Sequence, residues 1–203
     1  MSEPTPMRVR VTYAKQGALR YTGHLDLQRV WERLLRRSGL PIVFSQGFNP
    51  LPKLQLAGAL PLGIESSCEV MDFWMGEGME LVEIARKLTA AMPPGLEIIE
   101  VCEVELRSPA LETQLQSAKY RVAVKEPVDR VELEKKIAEL LKAVSLPRER
   151  RGKTYDLRPL IEELRLEPDG NLWMKLALRP GATGRPEEVL ACLSVDWLHT
   201  SIK

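Results

Sequence analysis

Residues 24–38 read HLDLQRVWERLLRRS. Leu27, Val30, Trp31, Leu34 and Leu35 recur at helical spacing and make one apolar stripe. Thr22 or Gly23 is placed to cap the start of this helix, and Gly39 followed by Pro41 stops it. Working outward, residues 7–14 alternate basic and apolar side chains (Arg8, Val9, Arg10, Val11), which predicts a strand with one buried face. After the helix, residues 42–45 read as a short strand, residues 46–66 as a Gly/Pro-rich loop and residues 68–75 as a strand. Residues 79–92 read as a helix ended by Pro93, Pro94 and Gly95, and residues 96–106 as a strand with outward charges. The order is β-α-β-β-α-β.

Residues 107–118 are polar without a period and read as a linker. The same order then returns. Residues 119–125 alternate as a strand, and residues 129–143 form a well-capped helix. Residues 160–167 and 172–178 are strands joined by the hairpin signal Pro168-Asp169-Gly170-Asn171. Residues 186–192 form a helix with Pro186 in its first turn, and residues 195–202 a final strand. The expected fold is α+β: two tandem ferredoxin-like βαββαβ sandwiches with antiparallel sheets, spanning 7–106 and 119–203.

Charge is unevenly spread along the chain. Residues 8–53 hold nine basic side chains against Asp26 and Glu32, and residues 61–114 hold eleven acidic against three basic. Either the basic part meets an anionic partner, or the two parts neutralise each other in the fold. Cys68, Cys102 and Cys192 are scattered, and His24 and His199 are the only histidines, so no zinc or iron–sulfur spacing assembles from sequence neighbours. Scattered cysteines fit a reducing compartment. The first residues, MSEPTPM, lack an apolar leader, and no stretch reaches the length of a membrane span, so a cytoplasmic protein is expected.

Three constellations carry the candidate chemistry. Arg29, Arg33, Arg36 and Arg37 lie within about 100° on the helical wheel, together with Asp26. Such a stripe suits phosphate or carboxylate, which the guanidinium fork bonds bidentately; the alternative is a solvated or neutralised face. The loop Ser45-Gln46-Gly47-Phe48-Asn49-Pro50 with Pro52-Lys53 combines a conformationally free glycine, stiffening prolines and an aromatic on which a flat group could stack. The alternative is that Phe48 plugs the core while the prolines shape a crossing. His24 and Asp26 sit i, i+2 at the helix start, where they do not face each other, so a catalytic pair is the weaker reading. Arg20 lies just upstream. A further basic run, Arg148, Arg150, Arg151 and Lys153, follows the second half's first helix and either extends a basic surface or is a solvated loop.

These motifs, Gly23-His24-Leu25-Asp26-Leu27-Gln28-Arg29, the later arginines, Leu40-Pro41, Ser45 to Pro50, Leu60-Pro61-Leu62-Gly63 with Glu65-Ser66, and Lys153-Thr154-Tyr155-Asp156-Leu157-Arg158-Pro159, resemble the bacterial radical SAM-linked proteins, a domain of unknown function numbered 2344. The resemblance spans nearly the whole chain. Leu51 departs from it, standing where many members have histidine. The resemblance implies a partner, a separate radical S-adenosylmethionine (SAM) protein, and RNA or a ribosomal component as ligand class. The CxxxCxxC motif is lacking here, so an iron–sulfur cluster and SAM would belong to that partner, with no cofactor in this chain. The implied role is a non-catalytic accessory module that binds RNA or another anionic substrate. The alternatives are an adaptor docking the partner without nucleic acid, and a hydrolase or transferase using His24 and Asp26. Candidate ligand-binding residues are Arg20, His24, Asp26, Arg29, Arg33, Arg36, Arg37, Ser45, Gln46, Gly47, Phe48, Asn49 and Lys53.

Overall fold

The computed structural model describes residues 6–124, 129–150, 152–196 and 200–202. It is a mixed α/β protein with antiparallel sheets, in two compact units, Met1–Gln114 and Leu115–Lys203.

The first unit runs β1 (Met7–Lys15), a 3-10 turn (Gly17–Tyr21), α1 (His24–Arg37), β2 (Leu54–Leu56), β3 (Ser66–Met75), α2 (Leu81–Ala91), β4 (Leu96–Val104) and a single helical turn, α3 (Leu111–Gln114). Its sheet is ordered β2-β3-β1-β4, with every neighbour antiparallel. Alternation divides the strands between two faces. Val9, Val11 and Tyr13 of β1, with Met71, Phe73 and Met75 of β3, meet Leu27, Trp31, Leu34 and Leu35 of α1 and Ile84 and Leu88 of α2 in one core. Both helices therefore cover the same face of the sheet.

On the other face, Asp72 is 0 % exposed and accepts from Arg8 Nε at 2.9 Å and Arg10 Nε at 2.8 Å. Arg8 also donates to the carbonyls of Ser108 and Pro109, and Leu111 N–H donates to Gln55 Oε1. Residues 108–114, which the sequence suggests are linker, are thus fastened across this face, and Leu111 is buried there.

The second strand differs from expectation. Residues 42–45 make only isolated bridges, Ile42 to Met75 and Phe44 to Pro52. The edge strand is Leu54–Leu56, inside the expected loop, where the chain is clear of Pro50 and Pro52 and can pair with β3.

The second unit contains β5 (Ser117–Val124), α4 (Arg130–Lys142), a hairpin of β6 (Pro147–Arg150) and β7 (Lys153–Asp156), then β8 (Ile161–Leu166), β9 (Leu172–Arg179), β10 (Ala182–Thr183), α5 (Pro186–Cys192) and β11 (Thr200–Ile202). β9 pairs with β5, β8 and β10, and β5 pairs with β11, so β8, β9, β5 and β11 repeat the neighbour order of the first sheet. Asp129 caps α4 by accepting from Val131 and Glu132 N–H. The hairpin at residues 168–171 closes through Glu167 N–H to Asn171 C=O at 2.8 Å, with Gly170 at φ +82°. The β6–β7 hairpin has no counterpart in the sequence reading, because its strands are short and charged rather than apolar. The final strand begins at Thr200 rather than residue 195; Lys125 and residues 197–199, which fall on expected strands, lie outside the described residues.

Candidate anion-binding face

Helix α1 places its arginines outward because Leu27, Trp31, Leu34 and Leu35 take the opposite side into the core. The four do not act alike. Arg29 Nη1 pairs with Asp26 Oδ1 at 3.0 Å on the surface. Arg36 Nη2 donates to the Pro50 carbonyl at 2.8 Å, and its guanidinium lies 5.1 Å from the centre of the Phe44 ring. Arg37 Nη2 donates to the Ala91 carbonyl, at the end of α2, at 2.8 Å. Lys87 of α2 answers by donating to Gly39 C=O, just past α1, so each helix carries a cation to the other's carboxyl end, where the dipole favours it. Arg33 is exposed and has neither a hydrogen bond nor an ion pair among the described residues.

The acidic run 61–114 does not neutralise this stripe. Its ion pairs to the basic segment are Asp72 with Arg8 and Arg10, and Glu65 with Arg20 at 3.6 Å. Arg8 and Arg10, counted in the sequence among the basic residues, are therefore taken up inside the fold, while Arg29, Arg33, Arg36 and Arg37 remain free of acidic side chains from that run.

Beside the stripe, residues 43–53 close into a loop. Ser45 N–H donates to Leu51 C=O at 2.8 Å, Leu51 N–H to Ser45 Oγ at 3.1 Å, and Lys53 N–H to Val43 C=O at 2.8 Å. Gly47 sits at φ +134°, where a side chain would be strained, and Phe48 at the tip is 101 % exposed, so it is not a core plug. Gln46 and Asn49 are exposed with it. Lys53 turns away from the loop and lies 4.7 Å from the Trp74 ring, which Arg8 approaches from 4.9 Å. Leu51, noted in the sequence only for its departure from the family pattern, and Phe44, for which proximity to Phe48 was the only signal, are exposed on the same loop.

Arg20, His24 and Asp26 lie at the other end of α1, roughly 20 Å from its last turn at 1.5 Å per residue. The expected binding residues thus divide into two groups. Asp26 is engaged by Arg29, not His24, and His24 Nδ1 is buried without a hydrogen-bond partner. A His24–Asp26 pair is not assembled.

The second basic run folds into the β6–β7 hairpin against α5. Arg148 donates to Cys192 Sγ, and Tyr155 is bonded to Glu188. Burial, then the Glu188 contact, pushes the Tyr155 hydroxyl up. Arg150 and Glu187 each keep one buried polar atom without a partner. Arg151 lies outside the described residues. Further on, Asp156 accepts from Leu146 and Arg158 N–H, which holds its carboxyl low, and Arg158 donates to Leu141 and Ile161 C=O. The Tyr155–Arg158 motif is an architectural device that ties the hairpin to the end of α4.

A sequence family described as uncharacterized proteins conserved in bacteria (DUF2344) matches residues 8–186. The chain belongs to this family. The match runs from β1 into α5 and so takes in both units, the arginine stripe and the Phe48 loop. No curated protein matches the chain. No helix among the described residues of this DUF2344 protein is long and apolar enough to cross a membrane.

Proposed function

We propose that this protein is a non-catalytic accessory module whose first unit holds RNA, or another anionic partner, on behalf of a separate radical SAM protein. The observation that carries this reading is Phe48: a fully exposed aromatic on a loop closed by its own hydrogen bonds, beside a helix face whose arginines no acid of the 61–114 run covers. An unpaired base can stack on such a ring, at a benefit of about 1–3 kcal/mol per base, while Arg29 and Arg33 meet phosphates. Arg36 contributes by holding the loop, and Arg37 by tying α1 to α2. The iron–sulfur cluster and SAM would belong to the partner. The shared order of four strands, each unit with two main helices, supports reading both units as ferredoxin-like sandwiches in tandem.

The test is filter binding of bulk RNA over a salt series, with the unmutated protein and with Arg29→Glu and Arg33→Glu combined. Binding that weakens steeply with salt and is lost in the double variant is expected, because each neutralised phosphate releases counterions. No binding at low salt by the unmutated protein would overturn the reading.

A second reading is favoured by the loop's apolar residues: Phe44, Phe48 and Leu51 are exposed on one loop, with Arg36 and the exposed polar Gln46 and Asn49 beside them. This is the composition of a protein-docking site, an apolar centre with polar surroundings. Co-purification with the radical SAM protein after nuclease treatment, lost in Phe48→Ala, would favour an adaptor.

A further inference from the structure

Two of the three basic residues in the acidic run 61–114, Arg86 and Lys87, fall on α2 where that helix meets the end of α1. With Arg37 they line a cleft of about 520 Å³ that is closed by the turn Met92-Pro93-Pro94. Among the described residues no acidic side chain lines it. Seen around α1 from Arg33, Arg36 is turned about 60° one way and Arg37 about 40° the other. Arg36 reaches the Phe48 loop, and Arg37 reaches Ala91 of α2. Arg33 thus stands between the loop and the cleft, and the arginine stripe of α1 leads from one to the other.

The cations of the cleft keep most of their donors. Arg37 uses one N–H on the Ala91 carbonyl, and its guanidinium carries several more. Lys87 makes one bond, 3.4 Å long, to Gly39 C=O. Neither forms an ion pair among the described residues. Arg86 pairs with Glu83 at 2.6 Å, but its side chain is 67 % exposed, and a pair this open to water contributes little and yields to a more highly charged anion. Glu83 also acts on Lys87 through space without contacting it. The carboxyl ends of α1 and α2 face the cleft, each equivalent to about half a negative charge. Three cations exceed those two ends and Glu83 together by about one unit of charge.

We propose that this cleft binds one nucleotide, its phosphate between Arg37, Arg86 and Lys87 and its base against Met92, Pro93 and Pro94. Phosphate fits because its several acceptor oxygens meet separate donors, two of them guanidinium forks. The base fits because the wall beside the cations is apolar and, with two consecutive prolines, already stiff, so little ordering is needed on contact. The volume lies within the range of small-ligand sites, about 300–1,000 Å³. The nucleotide has two sources, the RNA strand held on the Phe48 face and a free nucleotide; the first rests on the reading of that face given above.

The experiment is a titration of the full chain with adenosine 5′-monophosphate, read by amide NMR shifts. The amides of residues 38–39 and 87–92 are expected to move. Arg86→Gln with Lys87→Gln leaves the buried Ile84 and Leu88 of α2 in place and should fold, but weaken binding by about tenfold or more, since a hydrogen bond to a charged group is worth about that factor. Arg29→Glu with Arg33→Glu should retain it. No movement of these amides, or binding as tight in the Arg86–Lys87 variant, overturns the proposal. So does adenosine binding as tightly as the monophosphate, because the phosphate would then be idle, or inorganic phosphate doing so, because the apolar wall would be. Should the double variant not fold, Arg86→Gln alone serves, with the same outcomes. Filter binding of bulk RNA separates the sources. Weaker binding and a shallower salt dependence in the Arg86–Lys87 variant support the RNA strand. RNA binding that is unchanged in that variant, while the monophosphate is lost, supports a free nucleotide. RNA binding absent from the unmutated protein overturns the reading of the Phe48 face and, with the monophosphate still bound, supports the cleft as a free-nucleotide site.

Discussion

Arg36 Nη2 donates to the Pro50 carbonyl across 2.8 Å, and through that bond helix α1 holds the loop that carries Phe48. The same guanidinium lies over Phe44, so one side chain grips both arms of the loop. Arg36→Ala removes both contacts from an exposed site, where a hydrogen bond contributes about 0.5–1.5 kcal/mol. Global stability should fall little. Hydrogen exchange of the Ser45 and Leu51 amides, which close the loop, should instead speed up markedly while amides in β1 and β3 keep their protection. Unchanged exchange at Ser45 and Leu51 would show that the loop holds itself.

Phe48→Ala separates binding from folding. A ring wholly in solvent buries nothing, so the unfolding free energy from urea titration should stay within about 0.5 kcal/mol of the unmutated protein. Affinity for the partner should fall, by roughly 1–3 kcal/mol if a base stacks there. A large loss of stability would mean that Phe48 packs against something in solution.

Asp72 is the opposite case. Among the described residues it is the only carboxylate in contact with Arg8, and it also accepts from Arg10, in a site closed by residues 108–114. Asp72→Ala leaves a buried guanidinium uncompensated, which costs about 3–5 kcal/mol. Denaturant unfolding should register most of that in the first unit. Replacing the group by the isosteric Asn should cost less, since the carbonyl oxygen still accepts.

Gly95 fixes the turn that follows β1. Its φ is +92°, and an added Cβ would come within 2.7 Å of the Gln16 carbonyl and 3.2 Å of Leu19. Its own carbonyl accepts from Gln16 N–H at 2.8 Å. Gly95→Ala should therefore cost about 1–3 kcal/mol of backbone strain, measured by chemical denaturation, since the crowded atom is backbone and cannot swing away.

In the second unit, burial raises the Glu187 carboxyl above its usual value, and one of its oxygens has no partner. A raised folded value means that the folded protein binds this proton more tightly than the unfolded chain. The stability it lends is complete below the unfolded value of 4.5 and fades as pH rises through the raised one. Glu187→Gln should remove that dependence. The difference in unfolding midpoint between the two proteins should shift in favour of the unmutated one as pH is lowered towards 4.5, and a difference independent of pH would count against the assignment.

The elements whose residues announce their own periodicity were legible without a fold. Helix α1 follows from Leu27, Trp31, Leu34 and Leu35, α5 from Pro186 and its apolar run, and the β8–β9 hairpin from Asp169-Gly170. Less could be read where a short segment has no period of its own: Leu54–Leu56 is a strand because β3 offers it an edge, and β6–β7 because the two segments pair with each other. The charge pattern was similarly incomplete. An Asp amid Val70, Met71, Phe73 and Trp74 hints at a buried partner, but which arginines it takes depends on the β1–β3 register.

The sequence by itself determined the alternation that builds β1, the amphipathic helix after it, the outward stripe of four arginines and a loop stiffened by Pro50 and Pro52, because propensity and periodicity act over neighbouring residues. Only the tertiary structure decided what each arginine does. Arg8 and Arg10 are consumed by Asp72, Arg36 by a loop, Arg37 by the end of another helix, and Arg33 alone of the stripe is left without a partner among the described residues. Those outcomes rest on groups 14 to 101 positions away in the chain, brought within hydrogen-bond reach by the order of the strands and not by any local pattern.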